Sequence, residues 1–118
     1  MNLYQYQLLF AVRSAESDSL IQLDRQTHIL NAIDEDEALR KALKHGLEEQ
    51  GPIYTMQSGK LIWEFEALSF LRKLDKEDGR YFVQSETIDK SDAVAVLHGA
   101  KLCHEALIYQ KNVVLEQG

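Results

Sequence analysis

Apolar and polar positions alternate almost from the first residue. Tyr4, Tyr6, Leu8, Phe10 and Val12 share one parity, with Gln5 and Gln7 on the other. Period two with aromatic residues predicts a strand with one buried face. The polar stretch Ser14-Ala15-Glu16-Ser17-Asp18-Ser19 turns the chain, and a second alternating segment groups Ile21, Leu23, Thr27 and Ile29. Arg25 shares that face, which places it near a sheet edge or beside a carboxylate. An arginine snorkelling off the sheet is the plain reading, and an anion site is the sharper one.

The period then lengthens. Asp34 with Glu37 three residues on has capping-box spacing, and Asp34-Glu35-Asp36-Glu37 places negative charge at the positive end of a helix dipole. Leu39, Ala42, Leu43, Gly46 and Leu47 form its inward stripe, while Arg40, Lys41 and Lys44 face water. Gly51-Pro52 ends the unit, since proline cannot continue the hydrogen-bond ladder.

Two strands follow, Ile53–Met56 and Lys60–Phe65, joined by the hairpin-length connection Gln57-Ser58-Gly59. In the later strand Leu61, Trp63, Phe65 and Ala67 point one way, and Glu64 and Glu66 the other. Leu68 and Phe70 then carry the apolar character on the opposite parity, so a bulge or bend is expected near Ala67 to Ser69. Asp75-Lys76-Glu77-Asp78-Gly79 reads as a charged turn and Arg80 to Glu86 as a last strand.

The closing element, Asp89 to Gln110, has helical spacing at Ala93, Val96, Leu97, Ala100, Cys103, Ala106 and Leu107, with Asp89 or Ser91 as cap. Val94, Leu102 and Ile108 widen its apolar surface beyond one stripe, as in a helix that is deeply covered or that contacts another chain. The tail Lys111-Asn112-Val113-Val114-Leu115 suits a short strand or a partner contact. The order β-β-α-β-β-β-α, with local strand connections, predicts an α+β domain: an antiparallel sheet of about five strands with two helices packed against it.

Length and charge narrow the picture. The 118 residues form one domain, 1–118, large enough to bury a core without staples. With 13 Lys+Arg against 19 Asp+Glu, the net charge of −6 argues against a phosphate-backbone binder and so against a nucleic-acid partner. The lone Cys103 excludes an intrachain disulfide framework and points to a reducing compartment. No leader is expected from the opening residues, and no apolar run approaches the roughly 20 residues of a membrane span. A complete cytoplasmic protein without a membrane partner is the expectation.

Chemical motifs are sparse. His98 and His104 are six apart, pointing about 120° away from each other on a helix. Neither His-x-x-x-His nor Cys-x-x-Cys occurs, so no metal and no cofactor is expected. Cys103 falls on the apolar side of its helix, where a thiol acts as a small hydrophobe. Glycine-rich phosphate loops and a Gly-x-Ser-x-Gly elbow are both missing. Glu64 and Glu66, about 7 Å apart on a strand, superficially resemble an acid/base pair, although alternating glutamates also describe a solvated sheet face. His28 and His45 meet only if tertiary folding joins them. Tyr4, Tyr6, Trp63 and Phe65 lack the basic neighbours of a base-stacking platform and read as core.

Several features together resemble a small bacterial family called domain of unknown function 4288. They are Leu8-Leu9-Phe10, Ile29-Leu30-Asn31-Ala32, the acidic start to Glu37-Ala38 with Lys41-Ala42 and Gly46, and a hairpin carrying Tyr54, Gly59, Trp63 and Phe65. The resemblance covers about Leu3 to Ser85. It departs at Leu23-Asp24-Arg25-Gln26, where the family is glutamate-rich, and the helix from Asp89 to Gln110 lies beyond the family core. What it implies is a fold; it brings no reaction and no ligand.

Function is therefore expected to be binding rather than catalysis. The leading expectation is a non-enzymatic cytoplasmic protein that binds another protein, most concretely an immunity protein (antitoxin) covering a basic toxin domain such as a nuclease. Asp34, Glu35, Asp36 and Glu37, or Glu64 and Glu66, would then meet the partner's cations. The alternatives are a housekeeping homodimer paired through the Asp89–Gln110 helix or a free sheet edge, and a small-molecule enzyme with a pocket beside Trp63 and His28 or His45 as base.

Overall fold

The computed structural model describes residues 1–55, 59–74 and 84–111. Its elements run β1 (Asn2–Ser14), β2 (Leu20–Ala32), α1 (Glu35–Glu48), β3 (Gly51–Thr55), β4 (Gly59–Leu74), β5 (Gln84–Ile88) and α2 (Lys90–Lys111). The strands form one sheet in the order β3-β4-β1-β2-β5, with every neighbouring pair antiparallel. The class is α+β, in the expected element order.

β1 is the central strand, which the alternation alone does not convey. Its run Leu8-Leu9-Phe10-Ala11-Val12 is apolar on both parities, and all five residues are at most 2% exposed. Each face has its own helix. On one, Tyr6, Leu8, Phe10 and Leu68 pack against Leu39, Ala42 and Leu43 of α1. On the other, Leu9, Ala11, Leu23, Ala67 and Ile88 pack against Ala93 and Ala100 of α2. Gln5 and Gln7 do not face water as expected. The Gln5 Oε1 accepts from Arg72 Nε at 2.9 Å, and the Gln7 Oε1 accepts from the Ser69 hydroxyl at 2.8 Å. Gln5 is buried and Gln7 half-buried, and amides satisfied in this way escape the cost of an unpaired polar group.

Local signals explain the element ends. In the β1–β2 connection Ser14 N–H donates to Ser19 O at 3.0 Å, and Asp18 takes φ 55°, a left-handed conformation that Asp tolerates. Asp34 caps α1 as expected, its Oδ1 accepting from Glu37 N–H at 2.8 Å. The Glu37 carboxylate pairs with Lys41 Nζ at 3.0 Å. Gly51 leaves the helix at φ 153° and opens β3, with Pro52 on this outermost strand, where a missing N–H is tolerated.

β4 is much longer than Lys60–Phe65, because two bulges carry it across β1. Pairing runs Phe10–Phe65, Leu9–Ala67, Leu8–Leu68 and Gln7–Phe70, so Glu66 and Ser69 are the extra residues. The expected slip near Ala67 to Ser69 is present, and a second lies just before it. Ala67 consequently joins the α2-side cluster while Phe65 and Leu68 lie on the α1 side, which corrects the expected grouping of Phe65 with Ala67. Met56, Gln57 and Ser58, the turn Asp75 to Gly79, the first residues of the predicted last strand (80–83) and the tail after Lys111 lie outside the described residues.

Candidate functional site

The six carboxylates singled out in the sequence occupy two separate places. Asp34, Glu35 and Asp36 are exposed at the start of α1, with Glu37 half-buried beside them. Asp34 is engaged in its cap and Glu37 with Lys41. Glu64 and Glu66 lie on β4, where Arg13 of β1 reaches both: Nε is 3.4 Å from Glu64 Oε2, and Nη2 is 3.9 Å from Glu66 Oε1. Lys101 of α2 approaches Glu66 to 3.3 Å and leaves that side chain 12% exposed. Glu66 is thus withdrawn from solvent under α2, while Glu64 stays 44% exposed, and both are paired with cations of the same chain.

Folding does join His28 and His45. The β1–β2 register sets Tyr6 opposite His28, and α1 places His45 against both. The Tyr6 hydroxyl lies 2.6 Å from His45 Nδ1, and the two imidazoles meet edge to face with centroids 4.6 Å apart. Gln26 Nε2 donates to Asp24 Oδ2 at 2.8 Å, leaving Gln26 Oε1 to accept from His28 Nε2 at 2.9 Å. Glu49 approaches His45 Nε2 at 3.6 Å. Burial, with a smaller contribution from Glu49, pushes the Tyr6 phenol up to about 12, so it stays protonated and is no nucleophile at neutral pH. Burial first, and the neighbouring His45 second, hold His28 below the ordinary histidine range, while Glu49 acts in the opposite direction.

These groups can orient α1 on the sheet and hold protons in fixed places. Trp63, expected to border a pocket with them, is not beside them. Trp63 pairs with Val12, six residues along β1 from Tyr6, hence roughly 20 Å away. It packs on Phe10 at 5.7 Å instead. The sequence alone did not reveal the Tyr6–His28–His45 cluster, yet a signal existed. The Ser14–Ser19 turn brings the partner of Tyr6 to within one residue, at Thr27, and the register shift between Val12 and Arg13 moves it to His28.

On α2 the inward positions are Ala93, Val96, Leu97, Ala100, His104 and Leu107. Cys103 and Ala106, expected inside, are exposed. Spacings of three and four from Ala100 fit Cys103 and His104 alike. The choice falls on His104 because its Nδ1 accepts the Leu68 backbone N–H at 2.8 Å, in the bulged part of β4. The outward row Val94, His98, Leu102 and Ala106, four residues apart, is exposed, with Val94 at 80% and Leu102 at 54%. Beside it, Gly99 has nothing within 4 Å of where a Cβ would stand. Asp92 and Glu105 are exposed on the same helix.

Arg25, whose anion-site reading was left open, lines a shallow cleft at the start of α2 with Thr87, Asp89 and Asp92, so carboxylates share its surroundings. Among the described residues no three His, Cys, Asp or Glu side chains converge on a metal position, and no helix is long and apolar enough to cross a membrane. Neither a family model, nor a curated protein, nor a solved structure matches the chain.

Proposed function

We propose that this chain is a non-enzymatic, cytoplasmic protein-binding domain, in its most concrete form an immunity protein that covers a basic toxin domain such as a nuclease. One observation carries the reading. α2 spends one side on the sheet core and still presents Val94 and Leu102 to solvent, 80% and 54% exposed, along a single row. Apolar side chains in a row, with Asp92 and Glu105 nearby, have the make-up of a contact face: an apolar centre with charge around it. The net charge of −6, with Asp34 to Glu37 gathered at the start of α1, adds long-range attraction for a cationic partner. Asp34, Glu37, Glu64 and Glu66 already have partners within the chain, so their part in binding is steering rather than contact.

Co-expression with the products of neighbouring genes, followed by co-purification, tests this. A stoichiometric complex that disappears with Leu102→Asp, while that variant stays folded, is the expected result. A complex indifferent to both Leu102→Asp and Val94→Asp overturns the contact face. Failure to recover any partner among those products overturns the immunity reading.

A second reading is favoured by Gly99. A glycine inside a helix costs about 1 kcal/mol relative to alanine, and here none of the described residues occupies the space it leaves. Two copies of α2 approaching closely along Ala95, Gly99 and Leu102 would use that space in a homodimer. Sedimentation separates the two readings. A dimer dissociated by Gly99→Leu favours self-association, and a monomer at all concentrations excludes it.

A further inference from the structure

The second half of α2 is attached to the sheet differently from the first. Up to Ala100 the contact is apolar: Ala93, Val96, Leu97 and Ala100 lie on Leu9, Ala11, Leu23 and Ala67. Beyond Gly99 the helix crosses towards the α1-side core, where Leu107 packs against the cluster containing Phe65 and Leu68. Among the described residues the polar links there are the Lys101–Glu66 ion pair at 3.3 Å and, from His104 onward, the bond from the Leu68 N–H to His104 Nδ1 at 2.8 Å. β3 pairs with β4 only as far as Trp63, so beyond it the β4 N–H groups that point away from β1 have no strand acceptor. Gln50 Oε1 serves Phe65 N–H at 2.9 Å, and His104 serves Leu68.

An imidazole nitrogen accepts a backbone N–H only through its lone pair. Leu68 N–H is solely a donor, so the proton on neutral His104 must sit on Nε2. In acid Nδ1 gains a proton, two N–H groups face each other, and the bond cannot exist. The same protonation places a charge beside the Phe65 ring, whose centroid lies 5.9 Å away. The charged groups around this position are Glu105 and Lys101 on α2 and Glu66 on β4. Glu66 is already paired with Lys101 and Arg13. The residue past α1 that reaches this strand, Gln50, is a neutral amide on Phe65. Glu105 favours the charged imidazole but is outweighed by burial, which holds His104 below the ordinary histidine range.

We infer that the segment of α2 from His104 onward is an acid-released strap: it is latched to the β4 bulge by the neutral His104–Leu68 bond and freed, beyond the Lys101–Glu66 pair, when His104 is protonated. Release uncovers the Leu68 N–H and the Phe65 ring while Ala93 to Ala100 stay docked. The device does not depend on what the outer face of α2 binds.

Amide hydrogen exchange on the intact chain, corrected for the intrinsic pH dependence, tests it at pH 7.5 and 5.0. The expected result is that Leu68 and the amides from His104 to Ile108 lose protection in acid by a larger factor than Leu9, which reports global opening. His104→Asn offers an acceptor oxygen that does not titrate. In that variant Leu68 keeps its protection at pH 7.5, and the extra acid loss disappears. An identical acid response in native chain and variant overturns the strap, as does a Leu68 that follows Leu9 at both pH values in the native chain. If the variant fails to fold, NMR titration of the native His104 ring decides. A midpoint below about 6.5 is expected, and one at or above it overturns the latch.

Discussion

At the scale of single residues, Gly46 shows how much a side chain's absence can determine. A Cβ there would stand 2.7 Å from the Cδ1 and Cε1 of Phe65. That ring cannot retreat easily, since Phe10 and His104 both lie with centroids 5.9 Å from it. Gly46→Ala is therefore expected to lower the unfolding free energy by about 1–3 kcal/mol, the usual cost of overpacking, even though alanine is the better helix former. Urea denaturation measures it, and an unchanged or raised midpoint contradicts the packing. Asp34 offers a second check of the same kind. Replacing this N-cap with alanine leaves Glu37 N–H without its acceptor, for an expected loss of about 1 kcal/mol. The two residues differ in how far the sequence revealed them. The Asp34–Glu37 spacing announces a cap directly, because capping is a contact between residues three apart. The inward direction of Gly46 was equally plain from helical spacing. Its need to be glycine was not, because the ring that fills the space, Phe65, comes from a different element and meets Gly46 only in the folded chain.

Among elements, the same division between local and non-local information recurs. Helix α1 and the strands β1 and β2 follow from periodicity, and their turn follows from a polar run. β4 shows what periodicity misses. Its two bulges each invert parity, so the alternation seems to end at Phe65 when the strand in fact continues to Leu74. The coverage of β1 on both faces was written in Leu8-Leu9-Phe10-Ala11-Val12, a continuous apolar run of the sort that doubly buried strands carry. For α2 the sequence showed apolar residues all round but not which side docks, since that choice depends on the Leu68 N–H it must satisfy. The outer side yields a test at this scale. With nothing within 4 Å of the missing Cβ, Gly99→Ala meets no obstacle among the described residues and removes the entropic cost of glycine. A gain of about 0.5–1 kcal/mol is expected from thermal or urea unfolding. A loss instead would mean that this side of α2 is already covered.

For the molecule as a whole, the separation of its two depressed histidines makes its response to acid divisible. His28 on β2 bonds Gln26 and His104 on α2 bonds the Leu68 N–H, so among the described residues no hydrogen-bond partner is common to the two. Burial depresses both imidazoles in the folded chain. The unfolded chain takes up their protons near about 6.5, whereas the fold resists until lower pH. Proton uptake by the unfolded state lowers stability as pH falls, so the contribution of each histidine is whole above the ordinary histidine range and lost on descending through it. Unfolding free energy is thus expected to drop between pH 7.5 and 5.5, above the range where most carboxylates titrate. His28→Gln, which keeps a donor towards Gln26, and His104→Asn should each remove part of that drop. Because the sites share no partner, the double variant should remove the sum of the two parts to within about 0.5 kcal/mol. A double variant that removes far less than the sum would mean that the two sites are coupled and open together. A double variant as acid-sensitive as the native chain would place the titrating groups elsewhere.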